Sequence, residues 1–165
     1  MPDDQSDESS MRDHDRVRSQ TTLLARSYLD LLARRKFEDW IELWADDGIC
    51  EFPFGPASRK LVYEGKDEIY RYMTSFPDKM AIDAIDEMQI HPMLDPERLL
   101  AELAIRGRAM PSNRSYDQRY LILVQAKGGK IWRYREYWNP LVSVEAFGGL
   151  DSWTRGFGEP KDGSN

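Results

Sequence analysis

The feature that most limits what this chain can fold into is a change of period. Up to residue 76 its apolar residues recur mainly at helical spacing, and from residue 80 to 138 they alternate. Val17, Leu23, Leu24, Tyr28, Leu31 and Leu32 follow the i, i+3, i+4 rule and predict an amphipathic helix ending near Arg35. Phe37, Trp40, Ile41 and Trp44 form the stripe of a second, shorter helix, broken at Asp46-Asp47-Gly48. Residues 49–54 read as a strand stopped by Pro53, Gly55 and Pro56, and 61–64 as another. Ile69, Tyr70, Met73 and Phe76 mark a third helix that Pro77 ends. Four alternating runs follow, at 80–91, 99–110, 116–125 and 131–138, the last two joined by a hairpin with two glycines. Helices first and long antiparallel strands after predict an α+β fold. In it, three N-terminal helices pack on a curved, mainly antiparallel sheet. Strong curvature leaves a cavity between the layers, where small-molecule sites commonly sit.

At 165 residues the chain is expected to be one domain, spanning 17–150. Residues 1–16 are acidic and aperiodic and predict a disordered tail, and 151–165 a flexible, Gly- and Pro-containing one. The formal charge of −6 argues against a nucleic-acid partner, which needs a basic face. No stretch approaches the ~20 apolar residues of a membrane span, and the N-terminus lacks a signal-peptide layout. The expectation is a soluble, cytoplasmic protein. Cys50, the single cysteine, excludes an internal disulfide framework. His91 has no partner at ligand spacing, so no metal site is expected, and there is no Gly-rich phosphate loop.

On particular residues the chain resembles a known superfamily. Arg26-Ser27-Tyr28, Trp44-Ala45-Asp46-Asp47-Gly48 and Glu51-Phe52-Pro53-Phe54-Gly55 resemble ketosteroid isomerases and polyketide-cyclase (SnoaL-like) proteins, of the cone-shaped nuclear transport factor 2-like fold. From Phe76-Pro77-Asp78 to Gly148 the nearer likeness is to phenazine biosynthesis proteins A and B. It rests on Asp95-Pro96, Glu102, Gly107-Arg108-Ala109, Tyr120, Gly129-Lys130-Ile131 and Arg135-Glu136-Tyr137-Trp138-Asn139-Pro140. The resemblance implies a small-molecule pocket and a homodimer through the outer sheet face, to which Arg133, Arg135 and Tyr137 would contribute. It implies no cofactor.

Glu136 ranks first among the candidate catalytic residues. Strand alternation places Trp132, Tyr134, Glu136 and Trp138 on one face, an aromatic wall around one carboxylate. Burial there raises a carboxyl pKa toward the range useful for acid/base work. The resemblance agrees, because the phenazine proteins carry a pocket glutamate in this context. The competing reading pairs Glu136 with Arg106, Arg108 or Arg119 as structural glue. Tyr28, on the inward stripe of the first helix, matches by resemblance the ketosteroid isomerase tyrosine that donates to a developing enolate oxygen. The alternative is a core tyrosine. Phe52 stands where those isomerases keep their aspartate base, so their mechanism does not carry over. Gln118 and Tyr120 share a strand face. Gln118 falls near the isomerases' protonated aspartic acid, with ordinary cross-strand bonding as its alternative. Glu102 and Arg106 are expected to face outward.

Together these residues predict an enzyme of small-molecule, secondary metabolism. It would catalyse condensation, cyclisation or isomerisation of a cyclic carbonyl or imine substrate through Glu136 and Tyr28. Gln118, Tyr120, Trp132, Tyr134, Trp138 and Phe52 would bind the substrate. The alternatives are a non-catalytic binding or assembly protein of the same fold, and an epoxide hydrolase-like water activator drawing on Asp117 or Glu102.

Overall fold

The computed structural model describes residues 4–160, with side chains from residue 9. Helix α1 (Asp4–Ala33) is followed by the single turn α2 (Phe37–Ile41), the strands β1 (Trp44–Glu51) and β2 (Val62–Glu64), and helix α3 (Lys66–Thr74). Four long strands come next: β3 (Met80–Pro92), β4 (Arg98–Ala109), β5 (Arg114–Lys127) and β6 (Lys130–Trp138). Two short helices, α4 (Pro140–Phe147) and α5 (Leu150–Gly156), close the order. The six strands form one sheet in the order β2-β1-β6-β5-β4-β3, with β1 and β6 parallel and every other pair antiparallel. The mixed α+β architecture agrees with the change of period. No helix among the described residues is long and apolar enough to cross a membrane.

The expectation of three N-terminal helices needs correction: one helix is long and the second is a single turn, while the third follows two strands in the order read from the sequence. Trp44 belongs to β1 rather than to the second helix, and the strand passes through Asp46-Asp47-Gly48 with a register irregularity against β6. Pairing on both sides, with β2 and β6, has overridden the glycine as a stop signal. Where a disordered tail was expected up to residue 16, α1 runs from Asp4. The packed segment beyond residue 20 supplies the costly nucleus from which the helix extends. The pairs Asp13–Arg16 and Asp15–Arg18, each at 3.1 Å, add local support. The expected C-terminal tail is likewise corrected, since Trp153 of α5 is buried in the core. Residues 1–3 and 161–165 lie outside the described residues.

Curvature comes from two register irregularities in β3, at Ile82/Ala84 and Asp86/Gln89, because a bulge bends its strand. Gly107 permits the bend: a Cβ there would stand 2.2 Å from the Ala81 carbonyl oxygen. The concave face is filled at one end by Tyr28, Trp40, Trp44 and Tyr134, all buried, with Tyr28 stacked on Tyr134 at 4.8 Å. Each such ring removes about 150–250 Å² from water, several kcal/mol at ~25 cal/mol per Å². The other end is not filled.

Candidate functional site

The unfilled end is a cavity of about 70 Å³ available to water centres, room for about five waters. Phe52, Tyr72, Tyr116, Tyr120, Glu136 and Trp138 line it, with Phe76, Lys79, Met80, Ser143, Phe147, Trp153 and the 156–158 segment around them. Strand β6 supplies the central wall. Its alternation holds for Tyr134, Glu136 and Trp138 but fails at Trp132. Ala126 opposes Ile131 while Gln125 opposes Arg133, so Trp132 is the extra residue of a bulge. It sits instead against Lys127 and Arg133 as a cation–π partner, outside the cavity, and Ile131 takes the buried place. Trp132 is therefore withdrawn from the substrate-binding set.

Glu136 presents its carboxyl to the cavity between aromatic walls. Desolvation pushes its pKa up to about 7, against a weaker downward pull from the Tyr134 hydroxyl, which donates to Oε2 at 2.5 Å. The structural-glue reading fails on geometry. Arg106, Arg108 and Arg119 pair instead with Asp86, Asp83 and Glu87 on the outer face, at 2.6, 3.7 and 2.8 Å. Among the described residues Glu136 has no ion pair. Glu102 and Arg106 point outward as expected, Glu102 toward His91 at 3.0 Å.

Tyr28 is not in the cavity wall. It lies one layer behind, its ring stacked at 4.8 Å on that of Tyr134, whose hydroxyl donates to Glu136. Burial raises both phenol pKa values well above the ordinary value, so both keep their protons. Tyr134 thus acts on Glu136 rather than lining the cavity, and Tyr28 supports Tyr134.

On the adjoining wall Tyr120 meets Tyr116 hydroxyl to hydroxyl at 2.8 Å, and Tyr116 reaches Ser143 Oγ at 3.4 Å. Gln118 is buried behind them. Its amide donates to the Asn139 carbonyl at 2.8 Å and accepts from the Arg119 and Asn139 N–H groups, so it clamps β5 to the start of α4. It is not free to hold a substrate oxygen, and ordinary cross-strand bonding describes it. Helix α4 starts at an Asn139 cap, whose side chain accepts from the Leu141 N–H, and ends where Gly148 turns left-handed at φ 87°.

Phe52, Tyr120, Trp138 and Glu136 are brought together as read from the sequence. Tyr72, Lys79, Tyr116, Ser143, Trp153 and Phe157 were missed. Tyr116 was legible, because it shares the face of Gln118 and Tyr120 at two-residue spacing. Trp153 and Phe157, four apart in a supposed tail, carried a helical signal; Phe157 stacks on Trp138 at 6.0 Å. Lys79 follows a turn and carried none. Among the described residues no group of His, Cys, Asp or Glu is placed to hold a metal ion.

Comparison with known proteins bears on the same elements. The SnoaL-like domain pattern matches residues 25–134. The chain is 32% identical over 124 residues to the uncharacterized protein YesE of Bacillus subtilis, covering 75% of this chain and 84% of that one. It is also 32% identical over 124 residues to an uncharacterized PhzA/B-like protein of Pseudomonas aeruginosa, covering 75% and 87%. A solved structure from Bacillus subtilis, bearing a provisional isomerase designation, superposes with a TM-score of 0.76 at 30% identity, covering 80% of this chain and 95% of that one.

Proposed function

Because the chain belongs to the SnoaL-like domain family, of the nuclear transport factor 2-like superfamily, we propose that it is a small-molecule enzyme in which Glu136 moves a proton next to a polarised carbonyl or imine. The single observation that carries this reading is a cavity carboxyl with no ion pair among the described residues and a pKa pushed up to about 7 by burial. Near neutrality both of its forms are present, so it can take a proton as carboxylate and return it as acid. Isomerisation, cyclisation and condensation share that step. A proton shuttle of this kind needs no cofactor. Tyr134 holds one Glu136 oxygen and leaves the other for the substrate. Tyr120, with Tyr116 beside it, would steady a developing oxyanion, the part read from the sequence for Tyr28, Gln118 and Tyr120 together. Phe52, Trp138 and Phe157 hold a ring and exclude water.

The same proposal makes the protein a cytoplasmic enzyme of secondary metabolism. It also makes it a homodimer through the outer sheet face, supported by Leu121, 38% exposed there, and by the Phe54–Tyr137 edge contact at 5.2 Å. Two measurements test the chemistry. Carbon-13 NMR of the side-chain carboxyls should show Glu136 titrating near 7; an ordinary value of about 4.3 sinks the acid/base role. Wild-type protein should exchange the α-protons of a cyclic ketone with deuterated water, and Glu136→Gln should not. Ligand retained by both proteins without exchange in either would favour a non-catalytic binder.

A further inference from the structure

Of the described residues that line the Glu136 cavity, Lys79 is the single amine. The 3-10 turn Phe76–Asp78, with Pro77 near its start, delivers it there. Its backbone is held on both sides, the N–H donating to the Phe76 carbonyl and the carbonyl accepting from the Met110 N–H, each at 2.9 Å. The side chain meets no charge of opposite sign. Nζ donates to Ser75 Oγ at 3.2 Å, and that hydroxyl gives its own proton to the Tyr72 carbonyl at 2.7 Å. Nζ also lies 5.7 Å from the centroid of the Tyr72 ring. Among the described residues Lys79 has no ion pair, whereas Lys60 pairs with Glu68 and Lys66 with Glu42.

A protonated amine is poorly served in this setting. Burial draws the Lys79 pKa down, the Arg59 guanidinium adds repulsion, and Asp78 opposes them less. The neutral amine fits better: one N–H keeps the bond to Ser75, and the nitrogen lone pair is left for a reaction partner. A lysine desolvated in an apolar pocket beside a second cation is a recognised way to make an amine nucleophilic near neutral pH. Glu136 lines the same cavity, with both of its protonation forms present near pH 7.

We propose that Lys79 is a covalent catalyst, an amine that condenses with the carbonyl group of an aldehyde or ketone held in this cavity to form an imine. The Nζ lone pair adds to the carbonyl carbon, the π pair moves onto oxygen, and a proton passes from nitrogen to that oxygen, giving a neutral carbinolamine. Glu136 as the acid protonates the hydroxyl, which leaves as water while the nitrogen lone pair closes the C=N bond. An iminium and a carboxylate result. The carboxylate then takes a proton from the carbon next to the iminium, and the C–H pair becomes the C=C bond of a neutral enamine. Reversal returns a proton to that carbon, and water releases the ketone and the free amine. No oxidant or reductant enters. The assignment rests on the Glu136 cavity being the functional site and deepens that reading: the polarised group beside which Glu136 works is an iminium on the protein itself.

Cyclohexanone is the probe, at neutral pH with sodium cyanoborohydride, which reduces iminium ions faster than ketones. Peptide mass spectrometry of wild-type protein should find one cyclohexyl group on Lys79. It should form at least about tenfold faster there than on the exposed Lys36 and Lys127, because the cavity holds the ketone beside the amine. Lys79→Arg and Lys79→Met, shown to fold by circular dichroism, should take no label at that position and should lose exchange of the ketone α-protons with deuterated water. No label in wild type, label spread evenly over the lysines, or unchanged exchange in Lys79→Arg would each overturn the assignment. The two readings fail separately. If Lys79 is labelled while Glu136→Gln exchanges like wild type, the acid/base role of Glu136 falls and the amine stands. If Glu136→Gln loses exchange while Lys79 takes no label, the amine falls and Glu136 stands.

Discussion

The two faces of β6 carry the same kinds of side chain and put them to opposite uses. On the outer face Arg135 and Arg133 converge on Glu51 of the neighbouring strand, at 2.8 and 3.4 Å, and Glu51 is only 15% exposed. On the inner face Glu136 has a tyrosine hydroxyl and, among the described residues, no ion pair. The difference teaches that charge alone does not mark a site. A carboxylate whose charge is answered is structural; one that burial holds near neutrality is available for proton transfer.

Three substitutions would break or sharpen that contrast. The largest effect is expected at the inner face, where Glu136→Gln should lower proton-exchange turnover by about 10²–10⁴-fold, the usual range for a general acid/base. Unchanged turnover would make the two faces equivalent. The same variant should change stability with a defined sign. The folded-state pKa of Glu136 is raised from 4.5 to about 7, so the native protein holds the proton more tightly than the unfolded chain. Stability is therefore full below about 4.5 and declines as pH rises through about 7. Above that range Glu136→Gln should be more stable than wild type by about 3 kcal/mol, read from urea midpoints, and the gain should vanish in acid.

At the outer face Glu51→Ala should destabilise by about 1–3 kcal/mol, because it strands two arginines, one with a buried Nε that has only its 3.4 Å ion pair to Glu51. Turnover should not change. A loss of activity without a loss of stability would show that the faces are coupled. The smallest effect is expected from Arg119→Ala. Its pair with Glu87 joins side chains 77% and 61% exposed, and surface pairs contribute about 0–1 kcal/mol.

Much of this contrast was legible from patterning. The inward positions of Tyr134, Glu136 and Trp138 follow from two-residue periodicity, and Tyr116, Gln118 and Tyr120 follow from the same rule on β5. What escaped was whatever depends on register or on partners distant in sequence. A single bulge turned Trp132 out of the wall. The Gln118 amide is consumed by Asn139, twenty-one residues later. Tyr28 sits behind Tyr134 rather than across from Glu136, because Trp40 and Trp44 fill that end of the concave face.

By itself the sequence determined the order of helices and strands, the face on which Glu136 lies, and the absence of an aspartate at Phe52. These are local properties, set by periodicity and by the identity of one side chain. Only the tertiary structure decided that Glu136 has no ion pair among the described residues, that Lys79 joins it in one cavity, and that α5 closes over both. Whether a charge is answered depends on which chains of atoms reach it through space. That is fixed when the sheet curves and its bulges choose a register.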